Sequence, residues 1–322
     1  MKTLAIIGGG VCGHSLLFTL SKLPKRYHKI YFFDQRDFFN ACALNSTAIV
    51  APRGVSEGHS DLGNFLVEGY KTFKEHNDQD GPQGIERITQ YTGASSKIDQ
   101  MKTRYPGGEM KGDLYIATEE AFSIHPSTYL KWLFEASRKN LDFEFHQDAV
   151  VEVTPGNKVK IRTQNNLELE ADEVIFSAGS SQALWKKLFP DSKLSKTKTV
   201  QGSYFEYSNV DMGETSFSKT LEGDNAIYSS LHKTLLIGST TQESSLELAP
   251  EKELHEIKER LKKFVEIPDS KPMIRVGLRE KAPKREPYLI VQDNLKAVGG
   301  FYKNGYSLSM LFCQKLFSST PL

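Results

Sequence analysis

The sequence predicts an α/β fold, elaborated toward α+β, in which a parallel βαβ unit is joined to an antiparallel sheet. Two observations predict it: a strand–helix–strand pattern occupies residues 3–34, and short apolar segments alternate with turn residues between 200 and 240. Because 322 residues exceed the usual size of one hydrophobic core, we expect two domains or one domain with a large elaboration.

The βαβ unit is the clearest local signal. An apolar run at 3–7 ends in glycines, apolar residues recur over 11–23 before Pro24, and a second apolar run at 30–33 stops at Asp34. Two such runs joined by one short helix predict neighbouring parallel strands.

The turn after the first predicted strand has the pattern G-x-G-x-x-G. Gly8 permits a tight turn, Gly10 lets a pyrophosphate approach the backbone, and Gly13 lets the helix pack on the strand. Val11 and Cys12 stand between them at a helix N-terminus, which favours an anion. The motif predicts a Rossmann-type dinucleotide site, and the alternative is a glycine-rich turn without a ligand.

Asp34 ends the second predicted strand, and Gln35 follows it. A carboxylate at this place accepts hydrogen bonds from the ribose hydroxyls of an adenine dinucleotide. Its charge also argues against NADP, so the motif leaves NAD and FAD open.

Further along the chain, apolar periodicity predicts four more helices and a series of short strands. The helices are 66–73, 127–137, 251–265 and 307–317. The strands are 143–145, 150–153, 158–162, 167–169, 173–178, 204–207, 226–228, 235–237 and 295–298. Between 77 and 112 the sequence is polar and carries glycines, which predicts irregular structure or the edge of a second region.

Charge and cysteine usage exclude several classes of protein. A net charge of +1, from 41 basic and 40 acidic residues, gives no global attraction to nucleic acid or to an anionic membrane. Cys12, Cys42 and Cys313 fit neither a metal-ligand spacing nor a disulfide framework, and no histidine pair has metal spacing. No apolar run approaches the length of a membrane span, so we expect a soluble, cytoplasmic, unprocessed protein without a metal.

Two later segments carry a family resemblance. Residues 171–179 read ADEVIFSAG and residues 299–306 read GGFYKNGY. With the glycine turn, Asn45-Ser46-Thr47-Ala48 and the stretch from Gly277-Leu278-Arg279 to Gly305, they resemble the D-amino-acid oxidase family of FAD-dependent oxidoreductases. Within that family the last motif looks most like glycine oxidase.

The resemblance implies non-covalent FAD on a Rossmann-type FAD-binding domain with an interleaved antiparallel-sheet substrate domain. The first would comprise 1–75, 126–195 and 272–322, and the second 76–125 and 196–271. Residues 45–48 would lie along the isoalloxazine ring, and the loop before the last helix would meet the flavin N1 and C2 carbonyl. The implied cofactor contacts beyond the glycine turn and Asp34 are Asn45, Ser46, Thr47, Ala48, Val150, Val151, Ala178, Gly179, Gly300, Asn304, Gly305 and Tyr306.

The resemblance also implies substrate contacts. Arg279 matches the family arginine whose guanidinium clamps the substrate carboxylate, and the alternative is a structural salt bridge in a stretch crowded with basic residues. Lys303 stands where glycine oxidases carry an arginine and would add a positive charge at the flavin N1 and C2 carbonyl or over the substrate; the alternative is a surface lysine. Tyr204, Tyr228 and Tyr302 would face the ring, or else belong to the core or the rim. Where the family usually has a proline and an acid after the arginine, this chain has Glu280, Lys284 and Arg285.

These features imply a FAD-dependent oxidase or dehydrogenase that oxidises the C–N bond of a small amine or amino acid by hydride transfer to flavin N5. Only one dinucleotide motif is present, so the electrons should come from the organic substrate rather than from NADH. One alternative is an oxidase of a carboxymethylamino group on the tRNA wobble uridine, since the basic stretch 281–285 offers a local phosphate contact. A second alternative is a dinucleotide-binding protein without turnover.

Overall fold

The structure is a computed structural model that describes residues 2–35, 42–52, 55, 57–58, 60–243 and 251–318. The helices are α1 (Val11–Ser21), α2 (Asp61–Asp80), α3 (Ile98–Arg104), α4 (Pro126–Arg138), α5 (Glu251–Leu261) and α6 (Gly305–Phe317). The strands are β1 (Lys2–Ile7), β2 (Tyr27–Asp34), β3 (Ile49–Val50), β4 (Ile85–Ala94), β5 (Glu109–Lys111), β6 (Leu114–Ile124), β7 (Glu144–Gln147), β8 (Val150–Thr154), β9 (Val159–Thr163), β10 (Glu168–Ala171), β11 (Glu173–Phe176), β12 (Lys198–Ser208), β13 (Phe217–Leu221), β14 (Asp224–Ser229), β15 (Thr234–Gly238), β16 (Met273–Lys281), β17 (Tyr288–Gln292) and β18 (Leu295–Gly299). In this part of the chain no helix combines the length and the apolar character needed to cross a bilayer.

Six of the described strands form a mostly parallel sheet in the order β17-β18-β11-β1-β2-β7. β1 pairs in parallel with β2 on one side and with β11 on the other, which confirms the predicted βαβ unit. β1 is buried on both faces, as a central parallel strand requires. Leu4 packs into a cluster with Phe312 of α6, and Ala5 packs on the opposite face into a cluster with Trp185.

A larger mixed sheet runs in the order β16-β12-β15-β14-β13-β4-β6-β3, with β5 paired to β6, among the residues described. Of the two alternatives predicted for 77–112, irregular structure is wrong for 85–94, because β4 lies inside this sheet and pairs with both β6 and β13. β4 lacked a strand signal because polar residues lie on both of its faces, Arg87 and Thr89 on one and Gln90 and Thr92 on the other, so apolar and polar residues do not alternate. β13 runs parallel to β4, so the sheet is not purely antiparallel.

The helix α5 covers one face of the larger sheet. Leu254, Ile257 and Leu261 lie in one buried cluster with Phe205 and Ile237 of the sheet. The predicted amphipathic helix is therefore confirmed, although it ends at Leu261 and not at 265. The opposite face of the sheet is left for the cavity described below.

β16 occupies 273–281, inside a range predicted for the FAD-binding domain, yet it pairs with β12 of the larger sheet. The backbone therefore passes between the two large sheets near Arg279. The division into two domains with the predicted boundaries stays a prediction.

Candidate active site

A cavity of about 790 Å³ lies between the two large sheets. The carboxyl ends of β1, β2, β11 and β18 reach it from one side, through Ile7, Asp34, Ser177 and Val298. The polar face of the larger sheet reaches it from the other side. The outer edge of parallel strands at their carboxyl ends is where open α/β sheets bind ligands.

The glycine turn has the backbone geometry that its motif predicts. Gly8 has a φ of +114°, and a Cβ there would lie 2.6 Å from Ser177 O. A Cβ at Gly13 would overlap the carbonyl oxygen of Gly8, so this glycine serves helix packing and does not line the cavity. Gly10 lines the cavity and has open space beside its Cα. A ligand can therefore approach the backbone at Gly10.

Two helices begin at the cavity side by side. Val11 and Cys12, at the start of α1, line it together with Gly305 and Tyr306, at the start of α6. A Cβ on Gly305 would lie 3.5 Å from Val11 Cγ1. Since the first N–H groups of a helix have no partner within the helix, both starts favour negative charge in the cavity.

Asp34 lines the same end of the cavity, and Gln35 is beside it. The Asp34 carboxylate accepts a hydrogen bond from the backbone N–H of Gly9 at 2.5 Å, which fixes its position over the glycine turn. Val150 also lines this end, whereas Val151 is 49% exposed and does not. Adjacent residues of a strand face opposite sides, so only one of the two predicted valines can reach the cavity.

The segment from Asn45 to Ala48 packs against β16. Asn45, Ser46 and Thr47 line the cavity, and the carbonyl oxygen of Asn45 lies against Gly277, where a side chain would not fit. Ala48 is buried behind them, and its carbonyl accepts the N–H of Ile124 at 2.9 Å. The structure therefore brings three of these four predicted residues to the cavity.

The loop before α6 closes the cavity. Gly300 with φ +74°, Tyr302 with φ +53° and the exposed Lys303 all line it, as do Ala178 and Gly179 from the loop after β11. Asn304 does not line it, but its N–H bonds to Phe301 O at 2.8 Å and shapes the start of α6.

Arg279 points into the cavity from β16. Its guanidinium donates to Ser239 Oγ at 3.0 Å and to Thr240 O at 3.4 Å, and it lies against Gly202. No carboxylate of the described residues forms an ion pair with it, and burial lowers its pKa. The alternative of a structural salt bridge applies instead to Arg275, which pairs with Glu206 at 2.9 Å.

Two predicted pocket tyrosines lie away from the cavity wall. Tyr228 is fully buried under α5, where its hydroxyl donates to Gly213 O at 3.0 Å and accepts from Met212 N at 3.2 Å. Tyr204 is 3% exposed and does not line the cavity, and burial raises its pKa to about 12. Alternation along a strand turned Tyr228 to the α5 face, where the residues of the core cluster lie.

Comparison with known proteins decides the family. The sequence profile of the DAO family, described as FAD dependent oxidoreductase, matches residues 83–317. The chain belongs to this family. Its cofactor is FAD, as the sequence resemblance predicted.

Solved structures agree with this assignment at the level of the fold. Glycine oxidase from Geobacillus kaustophilus has a TM-score of 0.75 at 16% identity, covering 97% of this chain and 93% of that one. Glycine oxidase from Bacillus cereus ATCC 14579 gives 0.73 at 18%, covering 98% and 94%. Iminodiacetate oxidase from Chelativorans sp. BNC1 gives 0.75 at 16%, covering 97% and 94%. No curated protein sequence matches the chain significantly.

One buried acid of this DAO-family chain was not predicted as a site residue. Glu280 is 7% exposed, and its carboxyl group accepts from Tyr288 Oη at 2.7 Å and from the N–H of Gly300 at 2.9 Å. Burial raises its pKa to about 7. The only signal in the sequence was an acid at the place where the family usually has proline.

Proposed function

We propose that this FAD-dependent oxidoreductase oxidises the C–N bond of an amino acid, or of another amine that carries a carboxylate. One observation carries the proposal: Arg279 lines the cavity without an acidic partner among the described residues. A desolvated guanidinium is stabilised by an incoming carboxylate, which it binds through two parallel hydrogen bonds. The glycine oxidases and the iminodiacetate oxidase with the same fold act, by their names, on substrates of this kind.

The described residues fit the adenine dinucleotide half of FAD. The open space at Gly10 and the start of α1 would hold the pyrophosphate, and Asp34 would hold the ribose. Asn45, Ser46 and Thr47 on one side and the loop 300–306 on the other would contact the isoalloxazine ring. All of these residues line one continuous cavity, which supports the assignment.

The protein would contribute orientation and electrostatics. When bound, FAD supplies the acceptor for two electrons. Arg279 would fix the substrate carboxylate and so orient the C–N bond, which removes much of the entropy cost of bringing the reactants together. The N-terminus of α6 and the Gly300 loop would stabilise negative charge that develops at the cavity. The imine product would then be hydrolysed by water.

The test is an anaerobic absorbance spectrum of the FAD-loaded protein with glycine, sarcosine, D-alanine, D-proline and iminodiacetate in turn. Bleaching of the flavin band by one of them without NADH supports the proposal. If NADH bleaches the flavin and no carboxylated amine does, the proposal is wrong.

The tRNA alternative stays a prediction. In the basic stretch, Lys281 pairs with Glu243, while Arg285 lies 5.8 Å from the ring of Tyr302 at the cavity. If the substrate amine is carried on tRNA, its binding should weaken steeply with rising salt, because phosphate contacts release counterions.

A further inference from the structure

The cavity continues well beyond Arg279. Its far part is walled by the end of β4, by α3 and by the turn between β13 and β14. The lining residues there include Gln90, Thr92, Lys97, Gln100, Arg104 and Asn225. None of them belongs to the glycine turn, to the segment 45–48 or to the loop before α6. This part of the cavity is therefore left over after the cofactor residues have been assigned.

The floor of this far part is polar. Gln90 is 4% exposed, its amide nitrogen bonds to Thr92 Oγ1 at 3.3 Å, and its amide oxygen is buried without a partner. Whichever way the amide is turned, one of its two ends stays unpaired. Because leaving a buried polar group unpaired is unfavourable, Gln90 indicates a ligand that brings a hydrogen-bonding group.

The rim of the far part carries unpaired positive charge. Lys97 and Arg104 line the cavity, and neither pairs with an acid among the described residues. Glu222 is also there, but Ser95 Oγ, Ser96 N and Ser96 Oγ donate to it at 3.0, 2.8 and 2.7 Å. All three bonds go to Oε1, so the described partners of Glu222 are serine groups and neither cation, and Lys97 and Arg104 remain for an anion.

Arg279 and Gln90 lie on strands that are too far apart for one small amino acid to contact both, and Lys97 follows the end of β4 by three residues. β16, which carries Arg279, and β4, which carries Gln90, are separated by five strand steps in the larger sheet. At about 4.8 Å a step, this is about 24 Å along the sheet, and curvature shortens the direct path. A ligand that reaches both ends must be extended.

We propose that the substrate is an extended amino acid with two anionic ends. Its amine-bearing carboxylate binds Arg279, its polar chain crosses Gln90, and a second carboxylate or a phosphate binds Lys97 and Arg104. The inference rests on the proposed function, since it places the substrate head at Arg279. It adds a second anion site that determines specificity.

Binding can be measured without turnover. The FAD-loaded protein is titrated by calorimetry with straight-chain α,ω-dicarboxylates of increasing length, each compared with the monocarboxylate of equal length. A third series with a terminal phosphonate shows whether the rim prefers phosphate to carboxylate. Above a threshold length we expect the second anion to tighten binding about tenfold or more, the effect of a charge-assisted hydrogen bond.

The variants Arg104→Ala and Lys97→Ala should each remove most of this advantage and leave monocarboxylate binding unchanged. Lys102→Ala is the matched control, because Lys102 is an exposed cation of the same helix that does not line the cavity. Gln90→Leu should weaken the binding of dicarboxylates that carry an amide in the chain more than the binding of those with a plain alkyl chain.

Equal affinities for dicarboxylates and monocarboxylates at every length, or an advantage that survives in both Arg104→Ala and Lys97→Ala, would overturn the inference. Flavin bleaching by small amino acids together with such a result would leave the proposed function standing alone. A preference for dicarboxylates without flavin bleaching by any amine would instead contradict the proposed function and support the second anion site.

Discussion

The carboxyl group of Glu280 accepts the backbone N–H of Gly300 at 2.9 Å, so a buried acid holds the loop that leads into α6. The same group is bonded by the hydroxyl of Tyr288 at 2.7 Å, and the carbonyl of Glu280 accepts the N–H of Tyr302 at 3.0 Å. One residue next to Arg279 therefore fixes the loop at two points, Gly300 and Tyr302, and is itself bonded to Tyr288 of β17. Its ionisation should be visible in the stability of the whole protein.

The raised pKa of Glu280 predicts that the protein loses stability as the pH rises. Burial raises its pKa from 4.5 to about 7, so between these values the folded protein keeps a proton that the unfolded chain has lost. The free energy of unfolding should fall by about 3 kcal/mol across this window and level off above pH 7. Urea unfolding at pH 5 and pH 8 gives the change in the free energy of unfolding between the two pH values. This change is compared between the wild type and Glu280→Gln.

The matched control is Glu286→Gln, because the partly exposed carboxylate of Glu286 pairs with Lys193 and its pKa is lowered. This variant should follow the wild-type pH profile above pH 5. If Glu280→Gln and the wild type lose stability in parallel, Glu280 is not the titrating group.

Replacing Arg279 should separate substrate binding from cofactor binding. Arg279→Ala should lower kcat/KM by about 100-fold or more, as expected when one partner of a desolvated charge pair is removed. FAD affinity should hardly change. Arg275→Ala is the control, since Arg275 lies on the same strand as Arg279, pairs with Glu206 of β12 and does not line the cavity. Equal losses in the two variants would argue that Arg279 acts through the fold alone.

Two glycines of the turn should respond differently to alanine. Gly10 has room for a Cβ and a φ of −76°, so Gly10→Ala should leave the melting temperature of the FAD-free protein unchanged. It should weaken FAD binding by about tenfold or more, that is, about 1.4 kcal/mol, because the new methyl group occupies the approach to the backbone.

Gly13→Ala should instead destabilise the FAD-free protein by about 1–3 kcal/mol, since its Cβ would overlap the carbonyl of Gly8. Thermal unfolding without FAD and fluorescence titration with FAD separate the two effects. Unchanged FAD affinity in Gly10→Ala would contradict the assigned pyrophosphate site.

Tyr228→Phe tests whether this tyrosine belongs to the core. Its hydroxyl accepts from Met212 N and donates to Gly213 O, so the substitution should cost about 1–3 kcal/mol of stability. Steady-state kinetics should stay unchanged at a temperature where the variant is folded. A large change in KM with unchanged stability would support the prediction that Tyr228 belongs to the substrate pocket.

Apolar runs and turn glycines predicted the part of the fold in which neighbouring elements in the sequence also pack together. The parallel pairing of β1 with β2 confirms the unit β1-α1-β2. This unit could be predicted because its strands are apolar on both faces and its glycines mark the turn. β4 was missed because Gln90 and Thr92, on one face of the strand, line a polar cavity, so the strand lacks an apolar run. A strand that serves a binding site need not carry the pattern of a strand that serves a core.

Site residues could likewise be predicted only in part. Arg279, Asn45 and Gly300 could be placed by motif, and the structure brings all three to one cavity. Val151 and Tyr228 failed to reach it because a sequence shows that a residue is in a strand more readily than which face it takes. Arg104 could not be found at all, since its helix lies in a stretch without periodicity.

The side-by-side start of α1 and α6 has a consequence for the order of assembly in the cell. The two helices come from opposite ends of the sequence, and Cys12 Sγ lies 4.0 Å from Cys313 Sγ where they touch. A nascent chain thus displays its glycine turn early but lacks the other wall of the cavity until synthesis has passed residue 305. Such a long sequence separation makes closure of the site a late and slow event. We therefore expect the chain to enclose its prosthetic group only after α6 has been synthesised and has packed beside α1.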